Sequence, residues 1–387
     1  MFYGFSEEDL LIRETAREYA QRELSQYANA QNYTPETARK VARELGELGL
    51  LGMHLPTEYG GSGATAVQLC AVIEEIATVA DDFATMFAKS HMDGNALLKY
   101  GSKELQQKYL PRIISGEIFS ANALTEAGIG SDASNIEMSA VLGKDGNWHL
   151  NGEKMFCTQI NNHADIFLVA AQTDKELKQR GIACFIVERS FPGFAEAKAG
   201  EAVGESELLS ITELIFNDLI VPPENIVGKV GEGFAAMGSA LSLARVTMGA
   251  NTVGICQQAI NETIKYVKQR KQFGREIAQF QLVQGKLADM VTLTEAARSL
   301  TYATASLLDQ DKCGHYESSV CKYFCSEIVQ RVTNDAVQLF GGYGLCREYP
   351  VIRLWEVVRK FTIVDGTSDI QRLILGRELT GFNALKR

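Results

Sequence analysis

No uninterrupted apolar run in this chain approaches the roughly 18 residues needed to cross a bilayer, so the sequence offers no membrane-spanning helix. The opening Met1-Phe2-Tyr3-Gly4-Phe5-Ser6-Glu7-Glu8-Asp9 has neither the basic flank nor the apolar core of a signal peptide, and cytoplasmic residence is the expectation. Metal-ligand patterns are missing too. The eight cysteines contain no CxxC pair. Cys321 and Cys325, four apart, share one face of an expected helix from Val320 to Leu339. The five histidines, His54, His91, His149, His163 and His315, form no cluster. No metal is expected, and the thiols read as reduced and mostly buried. Positive charge is also short: 38 Lys and Arg against 48 Asp and Glu leave a net charge of -10, which argues against general nucleic-acid binding. No internal repeat or low-complexity linker interrupts the 387 residues. What remains, 46% hydrophobic and 22% charged, suits a soluble globular protein of two or three domains with large apolar cores.

Three regions follow from the pattern. Residues 1–118 read as an N-terminal α-helical domain. Ser6 with Asp9 makes a capping-box start, Thr34-Pro35-Glu36 opens a second helix, a long apolar helix covers Thr65 to Val79, and a short one starts at Gly101-Ser102 and ends at Pro111. Residues 119–228 read as a β domain. Glu137 to Leu142 alternates, Asp145-Gly146-Asn147 makes a turn before Trp148, and Asp165 to Gln172, Ala183 to Glu188 and Thr212 to Ile220 are further strands. Residues 229–387 read as a four-helix bundle, with long apolar-striped helices over Ala235–Arg270, Gln279–Asp309 and Tyr316–Leu339 and a last one after Gly366. The fold class expected is α+β, in the order α, β, α.

The stretch Ile363-Val364-Asp365-Gly366-Thr367-Ser368-Asp369-Ile370-Gln371-Arg372 carries the most chemistry. It places a carboxylate on a tight glycine turn just before a helix. A carboxylate there can act as a base, and Gly366 lets the backbone approach a flat ligand; read alone, the stretch is equally an ordinary capping turn. Gly128, Gly130 and Ala133 fit the dinucleotide fingerprint only superficially, because a strand rather than a helix follows. A nicotinamide-binding domain is therefore not expected.

Five ordered motifs together resemble the acyl-CoA dehydrogenase flavoprotein family across nearly the whole chain. The family's L-T-E-P-G-A-G-S-D is met by Leu124-Thr125-Glu126-Ala127-Gly128-Ile129-Gly130-Ser131-Asp132, and its K-W-I-T-N by Lys154-Met155-Phe156-Cys157-Thr158. Its R-x-Q-F-G appears as Arg270-Lys271-Gln272-Phe273-Gly274, and its G-G-Y-G as Gly341-Gly342-Tyr343-Gly344 after Gln338. Its E-G-T-x-x-I-Q turn is Asp365 to Gln371, with Asp365 in the Glu position. The resemblance implies an acyl-CoA dehydrogenase fold: an N-terminal helical domain, a middle β-barrel or sandwich and a C-terminal four-helix bundle. It implies FAD as cofactor and an α,β double bond made in an acyl thioester, by removal of a proton from Cα and transfer of a hydride from Cβ to flavin N5. By the same resemblance Leu124, Thr125 and Thr158 hydrogen-bond the isoalloxazine, Arg270 reaches the pyrophosphate of a neighbouring subunit's FAD, and Phe156, Phe273, Gln281, Gln338, Gly341, Gly342, Thr367 and Asp369 complete the cofactor set. Ser131, Arg245 and Gly366 are expected at the substrate. Because two chains hold each cofactor, a homotetramer is implied, with an electron-transfer flavoprotein as electron acceptor. Without the resemblance, Arg270 reads as a surface residue of a basic run and Phe273 as a core aromatic.

This chain departs from the family where the chemistry happens. Asp365 is shorter than the usual Glu by one methylene, about 1.5 Å of reach. The alternative base position of one branch, immediately before Arg245, holds Ala244, which leaves Asp365 as the carboxylate at a known base position. A bulkier acyl group, α-branched or cyclic, would bring Cα closer to the turn. Ser242 replaces an Asp that commonly helps hold the pantetheine arm, which opens the alternative of an acyl group on a carrier protein. Asp93 stands where the acyl pocket is usually small or apolar, either as a solvated helix residue or as a second carboxylate in the pocket. Two further readings compete: an oxidase of the nitroalkane-oxidase type, which carries Asp at the base position, and a catalytically retired branch that binds DNA, which the acidic balance and the retained carboxylate both oppose.

Overall fold

The structure, a computed structural model, describes residues 4–30, 33–160, 163–198 and 208–384. The chain begins with α1 (Glu7–Tyr19), α2 (Pro35–Glu47), α3 (Ala66–Ala77), α4 (Asp81–Tyr100) and α5 (Lys103–Ile114). Strands follow: β1 (Ser120–Ala123), β2 (Ser139–Leu142), β3 (Trp148–Ile160), β4 (Ile166–Gln172), β5 (Ile182–Glu188), β6 (Phe194–Lys198), β7 (Leu209–Val221) and β8 (Ile226–Val227). Then come α6 (Gly233–Ser239), α7 (Leu241–Gln269), a hairpin of β9 (Lys271–Gln272) and β10 (Arg275–Glu276), α8 (Gln281–Asp309), α9 (His315–Phe340), α10 (Pro350–Val358) and α11 (Ser368–Thr380). The chain separates into two compact units, one of Met1–Asn32, Thr65–Thr85 and Ser242–Arg387, the other of Tyr33–Ala64 and Met86–Leu241. Among the described residues no helix is long and apolar enough to cross a membrane, and no group of three or more His, Cys, Asp or Glu side chains is placed to hold a metal.

The second unit is built on an eight-stranded sheet in the order β6-β7-β3-β2-β4-β5-β8, with β1 running parallel to β4. All seven residues of β4 are buried, because both faces of the strand are covered. Ile166, Leu168 and Ala170, with Ile182, Cys184 and Ile186 of β5, pack on Leu105, Tyr109 and Ile113 of α5 and on Ala236 of α6. Phe167, Val169, Phe185 and Val187 point the other way, onto Leu150, Leu214 and Phe216. Each such fully buried side chain contributes roughly 1.5–3 kcal/mol. Helix α6 can lie this close to β5 only because Gly233 has no side chain: a Cβ there would sit 2.3 Å from the Ala183 carbonyl carbon.

The first unit holds the helical bundle. Its core joins Ile255, Ile260 and Val267 of α7, Met290 of α8, Val329, Val332 and Ala336 of α9 and Val351, Leu354 and Val357 of α10. Glu74 of α3 is buried with its charge met by Arg298 Nε at 2.9 Å, Arg13 Nη2 at 3.2 Å and the Tyr302 hydroxyl at 2.8 Å. Both expected N-terminal caps are present: Ser6 Oγ accepts from the Asp9 N–H at 3.1 Å, and Thr34 Oγ1 from the Thr37 N–H at 3.2 Å with Pro35 in the first turn. Six cysteines are buried; Cys313 and Cys346 are partly exposed.

Two boundaries differ from expectation. Helix α5 passes through Pro111 to Ile114. The missing N–H costs one hydrogen bond, but the next turn buries Ile113 and Ile114, and the Pro111 carbonyl still accepts from Ser115 N–H at 3.0 Å. The helix expected over Ala235–Arg270 is broken at Ala240, after Gly238 and Ser239. Ser239 Oγ bonds back to the Ala236 carbonyl at 2.8 Å, the local competition that makes serine a poor helix interior.

Candidate active site

In the bundle unit the Asp365 turn is tightly constrained. Asp365 has φ +53° and Gly366 φ +90°, two successive left-handed residues. Thr367 then caps α11, its Oγ1 accepting from the Ile370 N–H at 3.1 Å. The Gly366 carbonyl accepts from Lys322 Nζ at 2.8 Å and from Gln371 Nε2 at 2.9 Å, and Gln371 Nε2 also reaches the Asp365 carbonyl at 3.3 Å. A Cβ on Gly366 would meet Gln371 Nε2 at 2.8 Å and Arg245 Nη2 at 3.9 Å, so glycine is needed for space as well as for φ. Arg245 is buried in α7, and its Nη1 donates to Ser319 Oγ at 3.4 Å. Burial pushes the Arg245 guanidinium below its ordinary range, with Asp365 acting in the opposite direction. Burial likewise pulls Lys322 down to about 8, opposed by Asp365 and assisted by Arg245. Three buried polar atoms, Arg245 Nε, Ser368 Oγ and Gln371 Oε1, have no hydrogen-bond partner within the described protein. Such groups need a bound molecule or water, which fits a ligand site at this turn. Ala244, beside Arg245, is buried and offers no carboxylate.

The same unit contains a cleft of about 450 Å³ lined by Arg270, Gln338, Gly341, Gly342, Tyr266 and Tyr343. Arg270 lies 5.4 Å from the Tyr343 ring centroid and makes no side-chain hydrogen bond or ion pair among the described residues. Phe273, 92% exposed with φ +51°, and the exposed Gln281 do not line this cleft. Asp369 is exposed and pairs with Arg372 Nη1 at 2.5 Å, so it joins neither group.

In the sheet unit the Leu124 loop is tied to β3 by a buried ion pair. Lys154, fully buried, donates from Nζ to Glu126 Oε1 at 2.8 Å and to the Leu124 carbonyl at 3.0 Å. Glu126 also accepts from the backbone N–H groups of Glu137 and Met138, at 2.7 and 3.0 Å. Burial pushes the Glu126 carboxyl up, but the Lys154 hydrogen bond and charge with these two amides hold it below its ordinary value. The Met155 N–H donates to the Thr125 carbonyl at 2.8 Å. One residue on, the β3–β7 register shifts between Lys154 and Cys157, and Phe156 at that bulge takes φ +57° with its ring 59% exposed. Thr158 follows, half-buried and paired with Ile211; Ser131 sits exposed on the loop beyond Ile129.

Asp93 is not a solvated helix residue. It is fully buried in α4, accepting from Ser120 Oγ at 2.6 Å and from Asn122 Nδ2, both on β1. Burial raises its pKa, against the nearby Lys89 and these two donors. Both carboxylate oxygens are therefore occupied in holding β1, which leads directly into Leu124.

Lys322, Gln371, Glu126, Lys154 and Asn122 had no assigned role in the sequence reading. The signal for Lys322 was available: a lysine at helical spacing between Cys321, Cys325 and Val329 stands on the buried stripe of α9.

Family profiles match in chain order: "Acyl-CoA dehydrogenase, N-terminal domain" over residues 6–117, the middle domain over 121–219 and the C-terminal domain over 231–380. The chain belongs to the acyl-CoA dehydrogenase family. This dehydrogenase is 37% identical over 378 residues to an acyl-CoA dehydrogenase of Bacillus subtilis (strain 168), covering 97% of this chain and 99% of the relative. It is 36% identical to the mitochondrial 2-methylacyl-CoA dehydrogenase of Solanum tuberosum, covering 95% and 89%. A solved structure described as "Electron transferring flavoprotein of Acidaminococcus fermentans: Towards a mechanism of flavin-based electron bifurcation" superposes with TM-score 0.91 at 35% identity, covering 98% of this chain and 100% of that one. The dehydrogenase is accordingly an oxidoreductase of α+β fold whose cofactor is FAD. The residues present fit that group: an unpaired guanidinium in a glycine-lined cleft suits a pyrophosphate, and a bulge that exposes an aromatic ring suits a planar heterocycle.

Proposed function

We propose that this acyl-CoA dehydrogenase introduces an α,β double bond into an acyl-CoA, with Asp365 as the base that takes the Cα proton and an α-branched or cyclic acyl group as the preferred class. The observation that carries the reading is the Asp365 turn: a carboxylate on a left-handed, backbone-clamped turn beside the buried cations Arg245 and Lys322, with alanine at the alternative base position. Bound FAD supplies the electron-pair acceptor that no side chain provides. Asp365 takes up the proton and becomes a carboxylic acid as the Cα–H bond breaks. Leu124, Thr125, Phe156 and Thr158 would face the ring system, Thr367 would add a cofactor contact, and Arg270 with Gln338, Gly341 and Gly342 would hold the pyrophosphate. Ser131 and Arg245 would meet the thioester arm. The relative named for 2-methylacyl-CoA supports a branched substrate.

Exposed apolar side chains of the bundle unit, with Phe273 at 92%, Leu282 at 86% and Leu345 at 70% exposure, support a homotetramer in which Phe273 and Gln281 contribute to a neighbour's cofactor. An electron-transfer flavoprotein as acceptor, cytoplasmic residence and the three-domain division at 118/119 and 228/229 belong to the same reading. A carrier-protein thioester is a second reading, favoured by Ser242.

Anaerobic mixing with straight, α-branched and cyclic acyl-CoA thioesters, followed at about 450 nm where oxidised flavins absorb, tests it. Bleaching fastest with a branched or cyclic substrate is expected, and Asp365→Asn should slow it by about 10²- to 10⁴-fold. A yellow protein bleached by no CoA thioester but by a carrier-bound acyl group establishes the second reading. Peroxide release with a nitroalkane would mark an oxidase instead. An Asp365→Glu enzyme faster than wild type on every bulky thioester, with straight chains still the best substrates, removes the branched-chain preference.

A further inference from the structure

Lys322 has no part in the reaction just described beyond its charge. It is fully buried at a position where α9 otherwise presents Ser318, Cys321, Cys325 and Val329 to the core. Removing an ammonium from water costs several kcal/mol, at least in part recovered by the interactions it makes. Among the described residues the Lys322 ammonium donates one hydrogen bond, to the Gly366 carbonyl, an oxygen it shares with Gln371 Nε2. The charged groups facing it are Arg245 from α7, Asp365 from the turn and Glu327 on its own helix. Left-handed backbone costs a residue with a side chain roughly 1–2 kcal/mol, and here Asp365 adopts it with Gly366. The Asp365 Cα–Cβ direction follows from that conformation, and the conformation is held from outside by the two donors on the next carbonyl.

We propose that Lys322 is a positioning residue: by gripping the Gly366 carbonyl it fixes the left-handed Asp365 and so places a carboxylate one methylene shorter than glutamate's. The proposal rests on Asp365 being the base. A displacement of about 1 Å at a reacting group costs roughly 100-fold in rate, so a loosened turn has a large effect without any change in substrate contacts.

The test uses the flavin-loaded, full-length enzyme and its fastest acyl-CoA substrate, with the rate of anaerobic flavin reduction read from pH 6.5 to about 9.5, a range that brackets the alkaline titration of a buried lysine. Lys322→Met is expected to slow reduction by about 10- to 100-fold at pH 7, leaving the half-saturating thioester concentration unchanged. The wild-type rate should fall as pH rises through about 8, where Lys322 loses its proton, and that limb should be missing from Lys322→Met and Lys322→Gln. Lys322→Gln, which keeps a donor, should recover part of the rate. In Asp365→Glu, whose carboxylate is longer, Lys322→Met should cost less than it does beside aspartate, a coupling that mere space-filling would not give. A Lys322→Met enzyme with the wild-type rate, or a Lys322→Met or Lys322→Gln enzyme that keeps an alkaline limb seen in the wild type, overturns the proposal. If Lys322→Met does not bind flavin, the limb in Lys322→Gln decides. Asp365→Asn separates the two ideas: full activity there removes the base, whereas a dead Asp365→Asn beside a fully active Lys322→Met removes only the clamp.

Discussion

Among the described residues two lysines lie fully buried, one in each unit, and they are used differently. Lys154 in the sheet unit donates to a backbone carbonyl, that of Leu124, and has its own carboxylate, Glu126, at 2.8 Å. Lys322 in the bundle unit donates to the Gly366 carbonyl and makes no ion pair among the described residues. The first charge is neutralised where it stands, with two backbone amides completing the carboxylate's shell, and the result is a rigid loop. The second keeps its field directed at the turn that carries Asp365. A buried cation with a private counter-ion builds structure, and one without it tunes a neighbour.

The comparison breaks most visibly under substitution. Lys154→Met leaves Glu126 buried and uncompensated, which should cost about 3–5 kcal/mol; denaturant titration of the flavin-free protein should show it, and Glu126→Leu in the same chain should recover much of the loss. Lys322→Met should show no loss of that size, because removing a buried cation without a partner relieves a penalty while it disables the turn.

Both pH dependences should raise stability as pH rises, but in separate windows, one acidic and one alkaline. The Glu126 carboxyl lies below its ordinary 4.5 in the folded protein, so its contribution to stability is complete above that value and is lost as pH falls below it. Lys322 lies near 8 in the folded protein against 10.5 ordinarily, so between those values the unfolded chain holds the extra proton and stability rises with pH. Melting temperatures from pH 3 to about 10, a span covering both titrations, should therefore fall at the acid end in a way Glu126→Gln removes, and gain at the alkaline end in a way Lys322→Met removes. The smallest effect is expected at Asp93. Since burial already disfavours its charge, Asp93→Asn should change stability by only about 1 kcal/mol, read as a melting shift.

Much of this was legible beforehand. The capping boxes at Ser6 and Thr34, the glycine turn at Gly366 and the order of helical and strand regions all come from local rules that a sequence displays directly. The family motifs drew attention to the Asp365 turn and the Leu124 loop. Pro111 and Ala240 were misjudged because packing of Ile113 and Ile114 outweighed a helix breaker in one case, and a serine back-bond outweighed apolar periodicity in the other. Asp93 remained undecided, since only the register of β1 beside α4 puts Ser120 and Asn122 within its reach. Lys322, 43 positions before Asp365 in the sequence, meets the turn only because α9 and the α11 cap fold against each other.

The cysteine inventory has a practical meaning of its own. Six of the eight thiols are sealed in the core, and Cys313 is held up to about 11 by burial first and then by Glu317. Cys346, partly exposed, lines the Arg270 cleft with its Sγ 3.6 Å from the Gly342 carbonyl. The protein thus carries a near-unique labelling handle in that cleft, and a maleimide dye attached there would report occupancy without any engineered cysteine.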